Sequence, residues 1–477
     1  MELVLHELIR EDSYPIETVD AIDLLTCNRF DLAAKLLFVD DMRQDTGTFQ
    51  DVYLDHIRAF TFGTYKEPGN DAKHCAESFT GVFRNLYRGL REEGFREDLS
   101  LIPLASDGTI LNGAHRVASA IALGLQVRCV RLDSNAAPYD YSFFRSRSMP
   151  ESMLDLCALR FMETAPNCYV ALVWPAAKGH LDELKRLIPR IVHYKEISFT
   201  LNGFHNLLAT TYSGEAWLGE RSANYPGVRG KLAPCYAESH PLRLFVFQAD
   251  SLAEVLEIKN RVRALFGMDK HSIHINDTKA EALTIARALL NQNAIHFLNH
   301  AKPNRFSSTW AKIEKFKQWS LANQLSLNDL ALDGGMVLSA YGVRESSDID
   351  YLSLNDLEGE HTDSEINSHN HDELGFHGHP LSSLLQDPRF HFWFDGVKFI
   401  AFEQVLLMKT GRAEAKDRND VTLMRALVDH DFLKSVVAGF RQRLLYARVR
   451  TYIWTLEVLR SIGLYEVVRS IYRKVLK

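Results

Sequence analysis

The chain has 477 residues, 46% of them hydrophobic and 24% charged, with 61 Asp/Glu against 55 Lys/Arg and a formal net charge of −6. That is a globular composition, too long for one core and expected to divide into about three domains. It excludes general duplex nucleic-acid binding by the body of the protein, which has no basic excess to set against phosphates. The six cysteines (Cys27, Cys75, Cys129, Cys157, Cys168 and Cys235) contain no CxxC pair, so they read as reduced structural thiols and not as a disulfide frame or zinc knuckle. The opening MELVLHELIREDSYPIE carries early acids and no apolar run behind a basic start, so no secretory signal is expected. With no apolar stretch of roughly 18 residues either, the expected location is the cytoplasm.

The elements suggest a multidomain α/β and α+β chain. Residues 1–150 begin with helical patterning. LSLIPLASDGTIL then reads as a hairpin about Asp107-Gly108, HRVASAIALGL as a helix stopping at Gly124, and QVRCVRL as a strand. In residues 160–303 the strands CYVALVWP, LRLFVFQA and HSIHIN alternate with the helices HLDELKRLIPRIV, LAEVLEIKNRVRALF and AEALTIARALLNQ, which suggests an α/β domain. Asp277 is positioned to cap the last of these helices. AKPNRFSS reads as a linker, followed by a domain over 305–437 and a helical tail over 438–477. Between Asn355 and His379 lies a polar segment holding His361, His369, His371, His377 and His379. Their spacing matches no defined metal site, so a mobile lid is expected.

The clearest chemistry lies in Gly334-Gly335-Met-Val-Leu-Ser-Ala-Tyr-Gly-Val-Arg344-Glu-Ser-Ser347-Asp348-Ile-Asp350. Asp348 and Asp350 are two apart on an expected strand and project from one face. Two adjacent carboxylates repel unless a cation lies between them, and hard oxygen ligands suit Mg²⁺. The paired glycines let the backbone approach closely, and the helix they open offers N–H donors to phosphate. Metal on one side and amides on the other would clamp a triphosphate for in-line transfer.

This segment resembles the nucleotidyltransferase superfamily, in particular its abortive-infection-type branch. There a Gly-Gly or Gly-Ser turn and a short helix precede Arg-x-Ser-x-Asp-x-Asp, an order that Arg344, Ser347, Asp348 and Asp350 approximate. Downstream, Lys409, Arg412, Lys416, Asp417 and Asp420 resemble the superfamily's trailing helix signature, so the likeness spans roughly 305–435. It implies Asp348 and Asp350 as catalytic Mg²⁺ ligands, with Gly334, Gly335 and Ser347 on phosphates and Lys409 and Asp417 supporting the nucleotide. A third carboxylate is expected on a later strand, with Asp395 and Asp372 as candidates.

A second phosphate-type turn lies near the N-terminus, in Asn112-Gly113-Ala114-His115-Arg116. Strand, glycine turn and helix place amides at a helix N-terminus, with Arg116 as a charged fork and His115 able to orient or protonate. Over residues 98–133 the pattern is similar to the ParB/sulfiredoxin-like fold, whose Gly-x-His-Arg turn binds nucleotide phosphates. Ala114 replaces the sulfiredoxin cysteine, so sulfinic-acid repair is not expected, and no helix-turn-helix DNA module follows. Small-molecule kinases of that fold stay compatible, with Glu67 as the expected base.

From Arg441 to Lys477 there are nine Lys/Arg and two acids, interleaved with Leu, Val, Tyr and Trp at helical spacing. Such a helix suits an anionic membrane surface, or equally a helix docked on the protein itself or on a partner. The expectation is therefore a Mg²⁺-dependent nucleotidyl- or phosphoryl-transferase using ATP or another nucleoside triphosphate on a small, sugar-related acceptor, as in surface-polysaccharide assembly. The rivals are a defence- or toxin-type nucleotidyltransferase modifying protein or RNA, and a non-catalytic nucleotide-binding scaffold. Nothing in the sequence sets the oligomeric state.

Overall fold

The computed structural model describes residues 8–67, 72–355, 364–371, 373–429, 432–465 and 468. Two units divide the chain, residues 1–301 with 382–398 and residues 302–381 with 399–477. Among the described residues no helix is long and apolar enough to cross a membrane.

The first unit opens with β1 (Ile16–Asp20), where helical patterning was expected. Its pairing partner is more than a hundred residues away: β1 runs antiparallel to β3 (Gln126–Arg131), and β3 runs parallel to β2 (Ile102–Leu104). Around this sheet stand α1 (Asp31–Gln44), α2 (Gln50–Thr61), α3 (Ala76–Glu93) and α4 (Ala114–Leu123). α4 starts at Gly113 (φ 91°) and stops at Gly124 (φ 65°), both left-handed positions that glycine takes without a Cβ penalty. α1 is buried along most of its length, including its charged Asp31 and Lys35.

After α5 (Glu151–Thr164) comes a four-stranded sheet of β4 (Cys168–Val173), β5 (Ile191–Ile197), β6 (Leu242–Gln248) and β7 (Ile273–Ile275). Its order is β5-β6-β4-β7 and every pairing is antiparallel. Two βαβ halves interleave in this way in the ferredoxin-like, split-βαβ topology. The expected strand–helix alternation is present, built by α6 (Leu181–Leu187) and α8 (Leu252–Phe266), with α7 (Leu201–Thr211) between β5 and β6. The helix expected over HLDELKRLIPRIV ends at Leu187, before Pro189, whose ring disfavours continuation. The remaining β-branched and aromatic residues become β5.

α9 (Lys279–Leu289) is capped by Thr278, whose side chain accepts from the Glu281 amide; Asp277, the expected cap, lies one residue too early. α10 (Gln292–His300) follows. One apolar cluster runs from Ala21 to Leu298, so the segments 1–150 and 160–303 share a core.

In the second unit α11 (Ser307–Ala322) leads to β8 (Leu330–Leu332), α12 (Gly334–Ala340), β9 (Ile349–Ser353) and β10 (Ile366–Ser368). β8 and β9 are antiparallel, β9 and β10 parallel. In the 382–398 segment of the first unit, Phe392 of β11 (His391–Phe394) stacks on Phe297 with ring centroids 4.8 Å apart. The chain then turns at Asp395-Gly396 into β12 (Val397–Ile400), whose Phe399 pairs parallel with Leu332 of β8. α13 (Phe402–Arg412), α14 (Ala415–Val428) and α15 (Phe432–Ser461) complete the second unit, with α15 packed along α14.

Candidate active site

Gly334 and Gly335 make the corner between β8 and α12. Gly334 has φ 52°, and a Cβ there would lie 3.0 Å from Asp350 Oδ2 and 3.2 Å from His369 Cε1. A Cβ on Gly335 would lie 2.5 Å from Ser346 Oγ. Side chains from the following loop and strand therefore occupy the space that larger residues would need. β9 begins at Ile349, one residue later than expected, so Asp350 stands on the strand and Asp348 at its edge. Both acids are half-buried, with buried Ile349 between them. Asp348 accepts from Ser347 Oγ (3.1 Å), while Ser346 Oγ donates to its backbone carbonyl (2.7 Å).

Behind Asp350 lies a group that the sequence reading did not assemble. Asp333 follows β8 and caps α12 at its start, is fully buried, and its amide donates to the Asp350 carbonyl at 2.8 Å. Its Oδ2 faces His369 Nδ1 at 2.9 Å and His377 Nε2 at 3.1 Å. His369 in turn directs Nε2 at Asp350 Oδ1, 3.4 Å away, with Glu373 Oε1 at 3.9 Å. Burial alone would raise the Asp333 pKa, but His377 and His369 hold it well below the usual carboxylate range. Burial would lower His369, yet hydrogen bonds to Asp333 and Asp350 prevail and raise it to about 10.

The segment expected to be a lid thus supplies two buried histidines. The run of histidines was visible; their use was not, because Asp333 is 36 residues from His369 and 44 from His377. The expected acid Asp372 and His361 of the same segment lie outside the described residues.

The trailing-helix residues form a buried ion-pair lattice. Arg344 grips Asp420 with two bonds of 2.7 and 2.8 Å, and Lys409 reaches Asp420 at 2.9 Å and Asp417 at 3.2 Å. Arg412 binds Asp417 at 2.9 Å and Glu373 at 3.0 Å. Lys409 and Asp417, expected beside the nucleotide, are therefore engaged with each other and tie α13 to α14. Lys416 is half-exposed and pairs with Glu414. A cation does stand near the acid pair: Lys312 on α11 donates to the Ser346 carbonyl, and burial lowers its pKa against the pull of Asp348.

No protein-family model, curated protein or solved structure matches the chain.

Asp395, expected as a third metal ligand, has a local explanation. It and Gly396 are the two residues between β11 and β12, with φ 50° and 75°, the signature of a tight type I′ hairpin. In the first unit, His115 is partly buried with Nε2 3.0 Å from the Tyr53 hydroxyl, and desolvation holds it well below its ordinary pKa. Arg116 folds back toward Gly113, bonding Ser100 Oγ and the Leu101 carbonyl at 3.2 Å. Glu67 pairs with Lys73 at 2.8 Å.

Beneath that turn is a buried charged chain. Arg29 and Lys35 both bind Asp31 (2.8 and 2.7 Å), and Lys35 Nζ lies 3.0 Å from His56 Nε2. Burial brings Lys35 down to about 8 and His56 well below its ordinary value. Glu151, Asp155 and His193 place ligand atoms within 4.8 Å of one another, a spacing a metal could use. Arg145 already binds Glu151 at 2.6 Å and Lys195 binds Asp155, so the group is close to neutral as an ion-pair network.

Proposed function

We propose that the second unit is a Mg²⁺-dependent nucleotidyl- or phosphoryl-transferase, using ATP or another nucleoside triphosphate on a small, sugar-related acceptor. The observation that carries this reading is the pair of half-buried carboxylates, Asp348 and Asp350, set by a glycine corner where a Cβ would crowd Asp350 at Gly334 and Ser346 at Gly335. Carboxylates are the hard oxygen ligands such an ion takes, and Asp350 stands against the corner with Asp348 two residues before it. Bound there, Mg²⁺ would neutralise charge on the triphosphate and on the group being transferred.

The chain's own residues supply the rest. Ser346 and Ser347 hold the Asp348 end of the pair, and Asp333, through His369, orients Asp350 from behind. The Arg344–Asp420 bond anchors the loop that presents both acids. Lys312, held by the Ser346 carbonyl, would offer positive charge to phosphate oxygens on the Asp348 side.

The test is product formation from each nucleoside triphosphate with Mg²⁺ and candidate sugars, comparing wild type with an Asp348→Ala/Asp350→Ala variant. Pyrophosphate release identifies nucleotidyl transfer, and a nucleoside diphosphate identifies phosphoryl transfer. A mass change on a protein or RNA instead of a sugar selects the defence-type reading. Wild-type protein that binds nucleotide and turns over none is a scaffold, and the proposal fails.

A further inference from the structure

α15 is a 30-residue helix, roughly 45 Å long at 1.5 Å per residue. α14 has 14 residues and can accompany only about half of it. Along α15, Val437, Phe440, Leu444, Ala447, Thr451, Trp454 and Val458 recur at alternating spacings of three and four, which aligns them on one stripe. This stripe faces solvent: Phe440 is 64% exposed and Trp454 63%, and Val437 and Leu444 are more than half exposed. Arg441 and Arg448, both exposed, run along one flank. From Arg441 to Lys477 the chain carries nine Lys/Arg against two acids.

The charges decide what covers the stripe. A second copy laid along the stripe would bring the same excess of positive charge against this one, the exposed Arg441 and Arg448 included. The occupant must be anionic. Its surface must also accept Phe440, Ala447 and Trp454, among the largest and smallest side chains, at equivalent successive positions. A packed helix has to match each of these individually, whereas acyl chains fill around them. Aromatic side chains at the boundary and arginines reaching outward from an apolar strip are how a helix lies in an anionic bilayer interface.

We infer that the exposed Val437–Val458 stripe of α15, flanked by arginines, seats the protein on anionic membrane surfaces. The inference is independent of the catalytic reading and would stand if no transfer activity were found. It is tested by co-sedimentation of the full chain with vesicles of phosphatidylserine and phosphatidylcholine, and with phosphatidylcholine alone. Binding to the mixed vesicles is expected to exceed binding to the neutral ones at least tenfold and to fall steeply at high salt. A Phe440→Ser/Trp454→Ser variant and an Arg441→Glu/Arg448→Glu variant should each lose at least tenfold, with unchanged circular dichroism because all four side chains are exposed. Absence of wild-type sedimentation with the anionic vesicles overturns the inference, as does equal binding to both compositions. A dimer in solution that Trp454→Ser dissolves would assign the stripe to a second copy instead.

Discussion

Gly334, at the corner between β8 and α12, meets Asp350 of β9: a Cβ on Gly334 would stand 3.0 Å from the Asp350 carboxylate, at a backbone φ of 52°. Gly334→Ala therefore combines a left-handed backbone cost of about 1–2 kcal/mol with displacement of Asp350. The variant is expected to stay folded, with a lowered thermal midpoint, and to lose most turnover. Calorimetry beside a product assay checks this; full turnover would remove the corner from the site.

Asp348→Asn and Asp350→Asn should separate chemistry from stability. Asp348 is half-exposed and its side chain bonds only the neighbouring serines in the contacts described above, so its loss should alter stability by no more than about 0.5 kcal/mol. Turnover, in contrast, should be abolished in both variants. A stability loss for Asp348→Asn as large as its activity loss would mark that acid as structural.

Asp420→Ala should do the reverse. Its side chain is fully buried and accepts from both Arg344 and Lys409. Removing it leaves two buried cations short of a partner, a class of change that costs about 3–5 kcal/mol. Lys416→Ala, at a half-exposed position on the same helix, should fall within about 0.5 kcal/mol of wild type. Chemical denaturation of the two variants side by side gives the contrast, and equal midpoints would contradict the buried lattice.

His56 and His115 in the first unit predict acid lability. His56 is fully buried and His115 partly so, and desolvation depresses both pKa values well below the unfolded value of about 6.5. Between the folded and unfolded pKa values the unfolded chain binds more protons. The stability they contribute is therefore complete above about pH 6.5 and is lost as pH falls below it. Each histidine adds up to about 1.4 kcal/mol per pH unit to the slope. His115→Gln should flatten the decline between pH 6.5 and 5 by about that amount; an unchanged slope in denaturation experiments would show that His115 is charged in the fold.

The division between what was readable in advance and what was not follows the range of the interactions. Local periodicity marked α4, α8, β4 and β6, since spacing of apolar residues and glycine stops act within a few residues. It failed at β1 and β5. β1 alternates only between exposed and partly buried positions, and β5 follows an apolar run that could equally continue a helix until Pro189 ends it.

By itself the sequence determined the glycine pair, the two acids two residues apart, and the basic heptad-spaced tail, because each is a statement about neighbours along the chain. Only the tertiary structure decided that Asp333 would be buried between His369 and His377 and that the two N-terminal segments would share one core. Burying Asp333 requires compensation by hydrogen-bonding partners, and those partners come from strands and turns dozens of residues away that meet only when the sheet closes.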